Sequence, residues 1–90
     1  MMKAVISVIG KDSVGIIAKV SAGCAEAHAN ILDISQTIVS DFFNMMMIVD
    51  MNNATKKFGT ISEELDALGK EAGLDIHVMH EDIFNAMHRI

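Results

Sequence analysis

Several residue types that mark particular protein classes are scarce or missing in this sequence. The chain has no proline, tryptophan or tyrosine, one cysteine and only seven lysines and arginines in 90 residues. One cysteine excludes an intrachain disulfide, and a net charge of −5 argues against direct nucleic-acid binding, which takes most of its affinity from basic side chains. The longest apolar run, 45–49, is too short to span a bilayer, and we expect no membrane contact.

The residues that are present fit one small globular unit. The sequence is 51% hydrophobic and 21% charged, which is typical of a compact fold with one core. We expect a single domain over 1–90, with its core over about 3–80 and a terminal helix over about 82–89. No secretory signal stands out at the N-terminus, and we expect a cytoplasmic protein.

Four segments have the patterns of β-strands. Residues 4–9 and 42–51 are apolar on both faces, which favours central positions in a sheet. Residues 31–40 and 74–80 alternate between apolar and polar side chains, as edge strands with one exposed face do. Asp41 would make the tight turn between the second and third strands.

Three segments have helical periodicity. Ile16, Val20, Cys24 and Ala27 form one apolar stripe, and Phe58, Ile61, Leu65, Leu68 and Ala72 form another. We expect Asn30 to adopt the left-handed backbone after the first helix, Asn52, Asn53 or Thr55 to cap the second, and Gly73 to end it. Cys24 is interpreted as a small buried residue.

The order β-α-β-β-α-β, followed by a short helix, predicts an α+β fold of the ferredoxin-like kind. The right-handed crossover rule gives an antiparallel four-stranded sheet of order 4-1-3-2 with two helices on one face. The second strand then forms a long edge without proline or lysine, which predicts a homodimer paired through that edge. The terminal helix or a partner sheet should cover the other face.

The segment Gly10–Gly15, GKDSVG, enters the first helix as a phosphate-binding loop would. It lacks the Gly-Lys-Ser/Thr ending of a Walker loop and the third glycine of a dinucleotide loop, and we do not expect a nucleotide. Two alternatives remain: the loop binds another anionic ligand, or Asp12 or Ser13 merely caps the helix.

Strand VISVIG, loop KDSVG, the turn Ala29-Asn30-Ile31 and the βαββαβ order together resemble an ACT domain, a small regulatory module that senses amino acids. The resemblance covers about residues 3–80. Uncharacterised free-standing ACT proteins share sequence features such as DISQT at residues 33–37 and IFNAM at residues 83–87. The loop is similar to that of glycine-cleavage transcriptional repressors. Many amino-acid-sensing members have proline where this chain has Val14.

The resemblance implies a non-enzymatic regulator that binds a small ligand, expected to be an amino acid, at a homodimer interface and modulates a partner protein. It assigns no catalytic residue, cofactor or metal. In amino-acid-binding members the ligand lies between the first loop and the edge of the second strand, often across two subunits. The implied ligand-binding residues are Lys11, Asp12, Ser13, Val14, Gly15, Ile16, Asn30 and Ile31.

Within that set, backbone amides near Gly15 would receive a carboxylate, and Asp12 would pair with an ammonium group. The rival hypothesis is a constitutive protein–protein interaction module without a small-molecule ligand. A metal site is not expected, because His77 and His80 are three apart on a strand and point to opposite faces.

Overall fold

We analysed a computed structural model, which describes residues 2–11 and 15–87. Seven elements follow one another along the chain in the predicted order. They are β1 (Lys3–Lys11), α1 (Ile16–Glu26), β2 (Asn30–Val39), β3 (Phe42–Asp50), α2 (Phe58–Ala72), β4 (Leu74–His80) and α3 (Glu81–Met87).

The strands form one antiparallel sheet of order β2-β3-β1-β4, which confirms the predicted ferredoxin-like topology. The strand pairing fixes which residues share an end of the sheet. Lys11 and Val39 both pair with Phe42 at one end. Lys3 and Asn30 both pair with Asp50 at the other end.

The core lies between one face of the sheet and the two longer helices. Alternate residues of β1 and β3 point into it, because successive strand side chains face opposite ways. The buried side chains of this core include Ala4, Ile6 and Val8 of β1, Met45 and Met47 of β3, Val20 and Cys24 of α1, and Ile61 and Leu65 of α2. Both predicted helical stripes therefore face the sheet.

The helix ends partly match the expectations. Gly73 ends α2 with a left-handed backbone at φ 74°, as predicted. The left-handed residue after α1 is His28, at φ 57°, and not Asn30, which already pairs as the first residue of β2. The predicted capping of α2 by Asn52, Asn53 or Thr55 is wrong: Lys57 directly precedes the helix, and no side chain of the described residues caps it. The hydroxyl of Thr55 instead lies 3.4 Å from the carbonyl oxygen of Ala27.

The opposite face of the sheet, here called the outer face, carries α3. This short helix packs on β1 and β4 of its own chain, and Val5, which points to the outer face, is only 3% exposed. Neither face of β2 is covered to the same degree: every residue of this strand except Ile31 is exposed. The structure thus leaves a whole edge strand available for contact.

Candidate functional site

The predicted ligand-binding residues fall into two groups at separate places in the fold. Lys11, Gly15 and Ile16 form what we call the loop half-site, at the junction of β1 and α1. Asn30 and Ile31 form the strand half-site, at the start of β2. Asp12, Ser13 and Val14, which the sequence also assigns to the loop, lie outside the described residues.

Gly15 shapes the loop half-site through its backbone. Its φ of 85° is a conformation that residues with a Cβ rarely adopt, and it directly precedes the first residue of α1. The Gly15 carbonyl accepts a hydrogen bond from the amide of Lys19 at 2.9 Å, which closes the first turn. Among the described residues other than its chain neighbours, no atom lies within 4 Å of where a Cβ would stand.

The side chains flanking Gly15 have different roles. Ile16 is buried in the core, so only its backbone can face a ligand. Lys11 is exposed at the last position of β1. The first amides of a helix have no intrahelical acceptor and carry partial positive charge, so this junction suits a carboxylate.

The strand half-site borders an open hollow with both polar and apolar lining residues. The hollow lies between the second half of α1 and the paired ends of β2 and β3. Its lining residues are Ser21, Ala25, His28, Ala29, Asn30, Ile31, Asp50 and Asn53. Asn30 is exposed there, whereas Ile31 packs partly against the core.

Backbone and side-chain contacts hold this hollow in shape. The Thr55 amide donates to the Ala27 carbonyl at 2.9 Å, and the Thr55 hydroxyl lies 3.5 Å from Nδ1 of His28. Asp50 accepts a hydrogen bond from the amide of Asn52 at 2.9 Å. These contacts tie the loop after β3 to the end of α1 and so fix the position of His28.

The sequence did not identify His28, Asp50 or Asn53 as neighbours of the predicted site. His28 and Asn30 are close along the chain, but Asp50 and Asn53 reach the hollow only through the β2–β3 pairing. No local pattern marks such residues, because their proximity depends on strand register.

The two half-sites are far apart within one chain. Since β2 runs 10 residues from Asn30 to Val39, its ends are roughly 30 Å apart at about 3.3 Å per residue. The loop half-site lies at the Val39 end and the strand half-site at the other. One ligand of amino-acid size cannot touch both half-sites of the same chain.

Other potentially reactive side chains are buried or make packing and polar contacts within the chain, which suits a structural role. Cys24 is fully buried, and burial raises the pKa of its thiol. His77 forms a 2.9 Å contact with Asp75 on the outer face, and His80 stacks on Phe58 of α2, with ring centroids 4.3 Å apart. The two histidines therefore point to opposite faces, as predicted. Residues 2–11 and 15–87 contain no group of three His, Cys, Asp or Glu side chains arranged for a metal ion.

In the same part of the chain, no helix combines the length and the hydropathy needed to cross a bilayer.

The fold and the site define a ferredoxin-like α+β domain with a glycine-bent loop leading into its first helix. A family model described as ACT domain matches residues 3–79. The chain belongs to the ACT domain family, which typically has regulatory, ligand-binding roles.

Known relatives and solved structures agree with this assignment. A UPF0237 protein of Methanocaldococcus jannaschii is 52% identical over 90 residues and 100% of both chains. The structure of an ACT domain protein from Streptococcus pneumoniae is 40% identical, with a TM-score of 0.80 over 97% of this chain and 98% of that one.

Two regulatory proteins contain a similar fold as one part of a longer chain. The regulatory subunit of aspartate kinase from Thermus thermophilus is 26% identical, with a TM-score of 0.66 over 87% of this chain and 50% of that one. A putative glycine cleavage system transcriptional repressor is 24% identical, with a TM-score of 0.75 over 88% of this chain and 45% of that one. At this identity the match shows only that the two folds are alike.

Proposed function

We propose that this protein is a non-enzymatic regulator that binds a small amino acid at a homodimer interface and modulates a partner protein. The observation that carries the proposal is the placement of the two half-sites at opposite ends of the sheet, measured along its exposed edge strand β2: the strand half-site begins β2, and the loop half-site follows β1 at the end where Val39 lies. When two β2 strands pair in antiparallel fashion, the first residues of one lie beside the last residues of the other.

Such pairing completes the site twice. The strand half-site of one chain meets the loop half-site of its partner at each end of the paired strands. The amides at the start of α1 receive the ligand carboxylate, and Asp12 receives its ammonium group. The partner's Asn30 and the hollow behind it face the ligand side chain.

Ligand binding then affects the assembly directly. A ligand held by two subunits stabilises the dimer in which both half-sites are in contact. By linkage, any protein that recognises that dimer binds more tightly when the amino acid is present. The proposed output is therefore a change in partner affinity, with no chemical step.

A second hypothesis is a constitutive interaction module. It is favoured by an exposed apolar patch near the β2–β3 hairpin, formed by Ile9, Val39 and Phe42 on the outer face. In that case the patch binds another protein without any ligand, and the bend at Gly15 serves only to start α1.

An amide-resolved NMR titration with pooled amino acids tests the first hypothesis. We expect saturable shifts of Lys11, Gly15, Ile16, Asn30 and Ile31 with at least one pool, and division of that pool identifies the ligand. Shifts at both half-sites with one common affinity are expected because both contact the same ligand. No saturable shift at millimolar amino acid would contradict the proposal and favour the interaction module.

Substitution of Gly15 by alanine provides the matched test. Alanine in a left-handed conformation costs about 1 kcal/mol wherever it stands. Gly73→Ala imposes the same strain at φ 74° outside the predicted binding set. We expect both variants to fold with similar losses of stability, and only Gly15→Ala to weaken ligand binding, by about tenfold. Equal effects of the two substitutions on binding would show that strain alone is responsible.

A further inference from the structure

A small groove lies on the outer face of the sheet, between α3 and strands β2 and β3. Its volume is about 130 Å³. Its floor is apolar: Val5 of β1 and Met46 and Ile48 of β3 point into it. It is on the opposite side of the sheet from α1 and therefore separate from the hollow beside Asn30.

Strand register builds the groove in two rows. Val5, Ile48 and Asp33 are paired neighbours across β1, β3 and β2, so they form the first row on one face. Met46 and Ser35 pair in the next row. Each row thus starts with an apolar floor and ends with a polar group at the edge strand.

A β-bulge places the polar groups in this position. Ile31 pairs with Val49, but Asp33 pairs with Ile48, so Leu32 is an extra residue in β2. In regular pairing Asp33 would oppose Met47 and lie on the same side of the sheet as α1 and α2. The bulge turns Asp33 and Ser35 to the outer face, which is a recurrent use of bulges beside binding sites.

The other wall comes from α3. Glu81 and Asn85 are four residues apart and so share one side of this helix. The groove therefore has a carboxylate on each wall, Asp33 from β2 and Glu81 from α3. Among the described residues, neither carboxylate forms an ion pair, whereas Glu64, Asp66 and Asp75 each do.

We propose that this groove binds a small primary aliphatic amine in its protonated form. The ammonium group would lie between Asp33 and Glu81, where charge-assisted hydrogen bonds are strongest, with Ser35 and Asn85 as further acceptors. The alkyl chain would cover Val5, Met46 and Ile48 and remove them from water.

Size and charge narrow the class of ligand. A cavity of roughly 150 Å³ holds a molecule such as benzene, so about six non-hydrogen atoms fit here. Anions are disfavoured by two carboxylates on a chain of net charge −5. The α-carboxylate of an amino acid is repelled for the same reason, which distinguishes this groove from the proposed amino-acid site.

Three probes of equal length and different charge test the proposal: pentylamine, 1-pentanol and pentanoate at pH 7. We expect pentylamine to produce saturable NMR shifts of Val5, Asp33, Ser35, Met46 and Ile48. The alcohol should bind at least about fivefold more weakly, because it lacks the charge. Equal binding of alcohol and amine, or no saturable shift with amine, would overturn the proposal.

Asp33→Asn is the decisive variant, because it removes one carboxylate charge at an exposed position and replaces it with an amide of nearly the same shape. Asp75→Asn is its control, since it removes the same charge from the same face outside the groove. We expect Asp33→Asn to weaken pentylamine binding about five- to tenfold and Asp75→Asn to leave it within about twofold. An equal loss in both variants would show general attraction to a negative surface and refute a defined site.

Discussion

At the scale of single residues, burial and backbone conformation decide what this chain can do. Gly15 and Gly73 have positive φ values that alanine adopts only with strain. The sequence predicted this conformation for Gly73, because a glycine stands there directly after a helical pattern. His28 has the same kind of backbone, which the sequence analysis expected two residues later, at Asn30.

The buried thiol of Cys24 predicts that the stability of the folded protein depends on pH. Burial raises the pKa of the folded thiol, so the folded protein keeps its proton at a pH where the unfolded chain loses it. The stabilisation from the neutral thiol is complete below the unfolded pKa of about 8.5. It is lost as the pH rises from there toward the raised pKa of the folded thiol.

Comparison with Cys24→Ala isolates this effect. We expect the alanine variant to be about 1–2 kcal/mol less stable at pH 7, because it removes buried volume. Between pH 7 and pH 10 the difference from the original protein should narrow. Urea denaturation at both pH values measures it, and an unchanged difference would contradict a raised thiol pKa.

At the scale of elements, the packing of α2 on β4 depends on a glycine inside the helix. A Cβ on Gly69 would stand 2.8 Å from the Leu74 carbonyl oxygen and 3.0 Å from Cγ1 of Ile76. Helix α2 can lie this close to the strand only because the side chain is missing. The helical pattern alone does not reveal this requirement, because glycine is otherwise unfavourable in a helix.

Two alanine substitutions in α2 test the close approach. Gly69→Ala should destabilise the protein by about 1–3 kcal/mol, because helix and strand must separate. Gly59→Ala, in the same helix with no described atom within 4 Å of the new Cβ, should leave stability unchanged or raise it by up to about 1 kcal/mol. Denaturant midpoints compare the two, and a stabilising Gly69→Ala would refute the contact.

At the scale of the whole molecule, the main exposed feature is strand β2, which lies uncovered at the edge of the sheet. Ile34 and Ile38 point to the same side of the sheet as the core, yet they are 40% and 58% exposed. An edge with free backbone groups and exposed isoleucines favours pairing with a second copy. This is the physical basis of the proposed homodimer.

Ile34→Lys tests that interface. Ile34 lies near the middle of β2, so in an antiparallel dimer the two new lysines approach one another near the two-fold axis. We expect at least about tenfold weaker dimerisation, because like charges meet and apolar area is lost. Sedimentation equilibrium measures the dimer affinity.

Ile83→Lys is the matched control. It introduces the same charge at an isoleucine that is 53% exposed, on α3 and away from the β2 edge. We expect it to leave dimerisation unchanged. A dimer that survives Ile34→Lys, or one that Ile83→Lys disrupts equally, would locate the interface elsewhere.

The sequence by itself determined the order of elements, the core-facing sides of α1 and α2 and the sheet topology. The elements and their core-facing sides follow from periods of 2 and 3.6 residues in the apolar side chains, which are visible in short stretches of sequence. The topology follows from the handedness of the crossovers between strands.

Only the tertiary structure decided how distant residues align. Alternation in residues 31–40 is compatible with more than one pairing, and the bulge at Leu32 arises from the match between β2 and β3. That match turns Asp33 to the outer face and brings Asp50 to Asn30. It also separates the two half-sites along a full strand, because register and the placement of α3 depend on long-range pairing and packing that no local pattern records.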